Sequence, residues 1–492
     1  MRIRSGIFGS IVLGLVALCI AFGVGFAGRG TILKDSKDKD KEGLKQFPQE
    51  VVCRDKPKHT PNDVDHKDNL KHSPKNVIIF IADGGGFNHF RADDYYECNQ
   101  IPCRPCERFP ARLAMSTYPV GGEYNAKVAW CSFDYVENGA TDSAAAATAM
   151  AAGVKTYNAG IGVDVNGNPV LNLLERAEQL GKATGVVTSV PFSHATPAGF
   201  VIHNGDRNNY TQIAADMIEE SAADVIMGCG HPLYNADGKL TGTSHYNYIG
   251  AAAWAGLVNG TAGGDADADG IPDHWTLVQT RAEFQTLAAG LTPKRVFGIA
   301  QVYKTLQEDR SGDALAAPYQ VPLTQTVPTL EEMTVAALNV LDEDPNGFFV
   351  MIEGGAVDWA AHANYSGRLI EEMNDFNRSI DAVINWVNQN SDWGETLVII
   401  TADHETGHLT GPGSGQLPEG PVWNDLVANG PGNLPTMEWH SGSHTNSLVP
   451  FFAKGPGAQL FKNTIDGYDS VRGPYIDNTD IANVIFTLWH SH

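Results

Sequence analysis

Four hydrophobic runs in this chain each end in, or lead straight into, a side chain able to bind a metal or do chemistry. They are Asn76–Asp83, Gly185–His194, Gly347–Glu353 and Thr396–His404. Short runs that are apolar at nearly every position, with Val, Ile and Phe prominent, read as strands buried on both faces, the situation of a parallel sheet. In open parallel sheets, ligands bind beyond the carboxyl ends of the strands. Residues as far apart as Asp83 and Asp403 are therefore expected to meet at one edge. The pattern predicts an α/β fold with a doubly wound, mostly parallel central sheet, helices on both faces, and the site of a metalloenzyme.

Residues outside those runs set the organisation. Arg2 and Arg4 precede an apolar stretch from Ile7 to Ala27, with Arg29 after it. Residues 1–28 read as an export signal with a small-residue cleavage site at Gly25-Phe26-Ala27; the stretch is also long enough to stay as a membrane anchor. Residues 29–74 are rich in Lys, Asp and Pro without periodicity and read as a solvated linker. The catalytic domain is expected over 75–492. It holds an irregular, crown-like insertion at about 231–328, between a strand at Asp224–Gly228 and a helix starting near Thr329. Beyond the signal, six cysteines follow, and an even number in an exported chain favours disulfides. The protein is acidic, with 34 basic against 57 acidic residues and a formal charge of −23. Such a surface repels nucleic acid, so no polynucleotide partner is expected.

Ser143 is the candidate nucleophile. The alanine run after it has the highest helix propensity, and Gly153 supplies a stop. Ser143 then sits at a helix N-terminus, where free N–H groups and the dipole attract an anion such as phosphate. Asp142 or Ser143 at that position also suits an ordinary helix cap. Asp358 and His362, four apart, share one helix face in a spacing that suits zinc. Asp403 and His404 form an adjacent pair at a strand end, and His444 lies between Ser443 and Thr445. A separate acidic stretch, with Asp265, Asp267, Asp269 and Asp273 around Gly270, matches the start of an extracellular calcium loop. It lacks the glutamate of an EF-hand, having Thr276 at the twelfth position.

From about Lys75 to the C-terminus the chain resembles the alkaline phosphatases. The resemblance lies in Asp83-Gly-Gly-Gly86, Thr141-Asp-Ser143 with its alanines, His194-Ala-Thr-Pro197, Asp206-Arg-Asn-Asn-Tyr210, Glu353 to His362, Ala402-Asp-His404 and His444-Thr445. It implies a phosphomonoesterase with two zinc ions and one magnesium. By that resemblance Asp358, His362 and His444 bind one zinc, and Asp83, Asp403 and His404 the second. Asp83 also bridges to magnesium held by Thr196 and Glu353. Arg207 clamps the phosphoryl oxygens, and Ser143 carries the phosphoryl group. Two residues near the substrate depart from one bacterial form of the pattern: His194 stands in place of an aspartate and Trp359 in place of a lysine. Both changes imply weaker holding of magnesium and phosphate. The family also implies a homodimer and small phosphomonoester substrates, in the periplasm or outside the cell. The rival readings are a phosphodiesterase or sulfatase on the same fold, or a calcium-dependent surface module without catalysis.

Overall fold

In a computed structural model the chain is described over residues 73–266, 269–290 and 292–490. The expected signal or anchor, nearly all of the linker, Cys53 and Asp267 lie outside the described residues. Eight strands come first in chain order: β1 (Asn76–Ala82), β2 (Ala111–Ser116), β3 (Ala183–Pro191), β4 (Val225–Cys229), β5 (Thr276–Val278), β6 (Val296–Ile299), β7 (Phe348–Gly354) and β8 (Thr396–Ala402). With three later strands they form one eleven-stranded sheet. Its order is Gly467–Asp469, Gly473–Asp477, β2, Val449–Lys454, β8, β1, β7, β3, β4, β6, β5.

The run β8-β1-β7-β3-β4-β6-β5 is parallel throughout. Every residue of β1, β3, β4, β7 and β8 is buried, because helices cover both faces. Ala82 pairs with Gly354 on one side and Ala402 on the other, so β8, β1 and β7 end level. The doubly wound expectation holds, and the four runs lie side by side at its centre. No helix among the described residues is long and apolar enough to cross a membrane.

The stretch at 231–328 is less irregular than expected. It contains helices Ala251–Asn259 and Arg281–Leu287, and β5 and β6 extend the parallel sheet beyond β4. These strands have three and four residues, too few to show a period in sequence. The cysteines also depart from full pairing. Cys98 bonds to Cys103, whereas Cys106 and Cys229 are buried thiols. Cys229 closes β4 inside the core and donates to the Ser189 carbonyl oxygen at 3.3 Å, so it behaves as a small apolar residue.

Candidate metal centre and nucleophile

Asp83 follows β1, Asp403 and His404 follow β8, Glu353 is the penultimate residue of β7, and His194 and Thr196 follow β3 across a short turn. Two additions complete the group. Helix Ala356–His362 starts directly after β7 and presents Asp358 and His362 on one face. The strand pair His444–Thr445 with Glu405–Thr406 is antiparallel and sets His444 opposite Thr406. That pairing stacks the His444 ring on His404 with centroids 3.6 Å apart. Gly84 lets Asp358 and Thr406 come close to the end of β1: its φ is +72°, and a Cβ there would lie 2.8 Å from the Asp358 Cα.

The predicted ligands meet in two overlapping groups. Asp83, Asp403 and His404 have ligand atoms within 4.8 Å of one another, as do Asp358, His404 and His444. His404 Nε2 is 3.2 Å from Asp403 Oδ2 and 3.6 Å from Asp83 Oδ1. His362 Nε2 lies 3.0 Å from His444 Nε2 and 3.3 Å from Asp358 Oδ2. Two imidazole nitrogens and a carboxylate so close together are a tetrahedral-type N/O donor set, which suits zinc. Beside them, Thr196 Oγ1, one Glu353 oxygen, Asp403 Oδ2 and His194 Nδ1 are buried without a hydrogen-bond partner. Buried polar atoms without partners are costly, and a bound cation would satisfy these four. The second Glu353 oxygen accepts from the Thr188 hydroxyl.

The electrostatics agree with that need. Burial, followed by the charges of Asp403, Asp358 and Glu353, raises the Asp83 pKa well above the carboxylate range. Burial likewise pushes Glu353 up to about 7 and lowers His404 strongly. Asp358 goes the other way: burial acts upward, but the His362 hydrogen bond and the charges of His362, His444 and His404 outweigh it. Four clustered carboxylates with three imidazoles, those of His362, His404 and His444, concentrate buried charge that bound cations would neutralise.

Ser143 opens the helix Ser143–Ala152, which Gly153 ends in the left-handed conformation at φ 71°. Asp142 is the cap and accepts from the Ala145 N–H at 3.0 Å, which frees the serine side chain to face the metal ligands. Ser143 Oγ lies 3.3 Å from His404 Nε2 and 3.5 Å from Asp83 Oδ1. The other Asp142 oxygen accepts from Arg207 Nη1 at 3.0 Å. A cavity of about 390 Å3 is lined by Ser143, His194, Arg207, Asp358, Trp359, His362 and His444. His194 is buried there, its Nε2 3.4 Å from the Tyr210 hydroxyl; burial and then the Arg207 charge push its pKa down to about 3. It is therefore neutral, unlike the aspartate it replaces in the related pattern.

The acidic stretch is not brought together as a cation site among its described residues. Asp265 accepts from the N–H groups of Asp269 and Gly270, and Asp269 from that of Ile271. Asp273 accepts from the Ala266 N–H and pairs with Lys294 at 3.0 Å. The described carboxylates thus cap their own turn, the ordinary behaviour of Asp in tight loops.

Thr406 was not singled out in the sequence. Its hydroxyl donates to Asp358 Oδ1 at 2.6 Å and sits 3.3 Å from His404 Nδ1. The signal available was its position two residues after His404, on the strand that pairs with His444.

A parallel sheet with buried carboxylates and histidines at its carboxyl edge, beside a serine at a helix N-terminus, defines a metal-dependent phosphohydrolase. The alkaline phosphatase family profile matches residues 74–421. Alkaline phosphatase 4 of Bacillus subtilis (strain 168) is 29% identical over 84% of this chain and 88% of its own length. The solved alkaline phosphatase of the Antarctic bacterium TAB5 is 26% identical with a TM-score of 0.58, covering 85% of this chain and 99% of that one. A TAB5 variant with a histidine replaced by aspartate, 25% identical with a TM-score of 0.57 over 85% and 98% of the two chains, is described with magnesium bound. The chain belongs to the alkaline phosphatase family, and it is a phosphatase that hydrolyses phosphate monoesters.

Proposed function

We propose that this phosphatase works through a phosphoserine at Ser143, with two zinc ions and one magnesium at the ends of β8, β1, β7 and β3. The observation that carries the reading is the placement of Ser143 Oγ, within 3.5 Å of both Asp83 and His404 and on the same cavity as Arg207. In this reading Asp358, His362 and His444 hold one zinc, Asp83, Asp403 and His404 the other, and Asp83, Glu353 and Thr196 the magnesium. Bound ions supply Lewis acidity, a lowered hydroxyl pKa and a stabilised leaving oxygen. The chain supplies the rest. Ser143 Oγ forms the bond to phosphorus as the bond to the alcohol oxygen breaks, and water then displaces Ser143 to release inorganic phosphate. The N–H groups at the start of the helix and the Arg207 fork balance charge on the equatorial oxygens. Asp142 keeps Arg207 aimed across the cavity. His194 adds no carboxylate to the magnesium position, so that ion is held more weakly than the zincs.

The Cys98–Cys103 bond supports an oxidising compartment and so export. The reading is tested by turnover of a chromogenic phosphate monoester, a phosphodiester and a sulfate ester, each with and without a chelator. Chelator-sensitive monoester hydrolysis that dominates the other two is expected. Faster diester or sulfate ester turnover would overturn it.

A further inference from the structure

One wall of the cavity is formed by Trp359, which offers neither a metal ligand nor a charged group for phosphoryl oxygens. Trp359 lines it beside Ser143 and Arg207, and its ring lies 5.6 Å from His194, tilted by 55°. From His194 the rings continue outward. Tyr210 stacks on His194 at 5.6 Å, Tyr248 meets Tyr210 edge-on at 5.3 Å, and Tyr303 meets Tyr248 at 5.3 Å. The last two belong to the 231–328 stretch, which thus carries an aromatic strip up to the mouth of the site.

Packing alone does not explain the strip. Where rings join this stretch to the sheet, as Phe192 and Phe297 do at 4.8 Å, they are fully buried. Trp359, Tyr210, Tyr248 and Tyr303 are instead all partly exposed. The Lys304 ammonium sits at the rim, 5.9 Å from the Trp359 ring centroid, and is held by Asp309 at 3.3 Å. A partly exposed indole lining a cavity beside a reactive group, with further open rings leading away from it, is the ordinary form of a ligand-binding wall.

We propose that this wall is a leaving-group subsite, which favours phosphate monoesters whose alcohol carries a planar heteroaromatic ring, as nucleoside monophosphates do. The inference rests on the reading that the phosphoryl group sits between Ser143 and Arg207. The alcohol then fills the remainder of the cavity, where the ring that stands apart from the metal site is that of Trp359. A base stacked on the indole gains contact in a sequence-tolerant way, because every base offers a π face.

The test compares adenosine 5′-monophosphate with ribose 5-phosphate, which lose the same primary alcohol oxygen and differ by the base. The metal-loaded enzyme is expected to favour the nucleotide in kcat/KM by about tenfold, the scale of one stacking contact. Trp359→Ala should bring the ratio to about one, and Trp359→Phe should keep most of the preference. Adenosine itself should bind the wild-type enzyme and Trp359→Phe, and bind Trp359→Ala far more weakly, in a titration that needs no turnover. A wild-type ratio near one, or an unchanged ratio in Trp359→Ala, would overturn the subsite. Turnover of neither ester would count against the phosphoryl-transfer reading, whereas adenosine binding that depends on Trp359 would still support the wall.

Discussion

Replacing Thr406 by valine isolates one hydrogen bond in the metal centre. Thr406 is fully buried, and its hydroxyl donates to Asp358 Oδ1 at 2.6 Å. Valine keeps the branched shape and removes the donor, so one carboxylate oxygen loses its partner. A hydrogen bond to a charged group contributes about 1.5 to 3 kcal/mol, and partners of metal ligands typically change metal affinity by about 10- to 100-fold. The same hydroxyl lies 3.3 Å from His404 Nδ1, so both expected zinc positions feel the change. Thr406→Val is therefore expected to weaken zinc binding by about 10- to 100-fold, and Thr406→Ser to restore most of it. The assay is zinc competition against a chromogenic chelator, with thermal unfolding of the metal-free proteins as a check on the fold. Equal zinc affinity in wild type and Thr406→Val would refute the positioning role.

Two further outcomes follow from charge. Trp359→Lys places an ammonium on the cavity wall and should tighten competitive inhibition by inorganic phosphate by roughly fivefold, equivalent to about 1 kcal/mol; an unchanged inhibition constant would count against this placement of the side chain. His203 Nε2 lies 2.8 Å from Glu175 Oε1; this hydrogen bond raises the His203 pKa, while Glu175 is held low against the upward pull of its burial. The histidine contribution is present below its unfolded pKa of about 6.5 and is lost as pH rises through the raised value; the glutamate contribution is lost as pH falls through its lowered one. His203→Gln should thus cost stability near pH 6, by under about 1 kcal/mol for this partly exposed pair, and cost less at pH 9, as measured by denaturant unfolding at both pH values.

The centre of the fold was legible because complete burial leaves a plain mark: β1, β3, β7 and β8 are mostly apolar, and each delivers a polar residue at or just beyond its carboxyl end. Ser143 was legible because an alanine run and Gly153 define both ends of one helix. Other features depend on partners far away in the chain. Thr406 has no distinguishing local pattern, and its role arises only when Gly84 lets Asp358 approach. Strands β5 and β6 are too short for a period, so their place at the sheet edge is decided by pairing with β4. Cys106 and Cys229 look like candidates for disulfides until burial is known. Alternating aspartates at 265–273 resemble a cation loop, but the described ones bond to their own backbone and to Lys294. The aromatic strip was hidden because Trp359, Tyr210, Tyr248 and Tyr303 lie on separate segments.

The central claim is that Ser143 carries the phosphoryl group, and trapping that group tests it most directly. Metal-loaded enzyme is incubated with radiolabelled inorganic phosphate, quenched in acid and digested, and the labelled peptide is sequenced. Label on Ser143 in the wild type, and none in a folded, zinc-containing Ser143→Ala variant, is the predicted result. Label retained by Ser143→Ala, or found on another residue of the wild type, would contradict it.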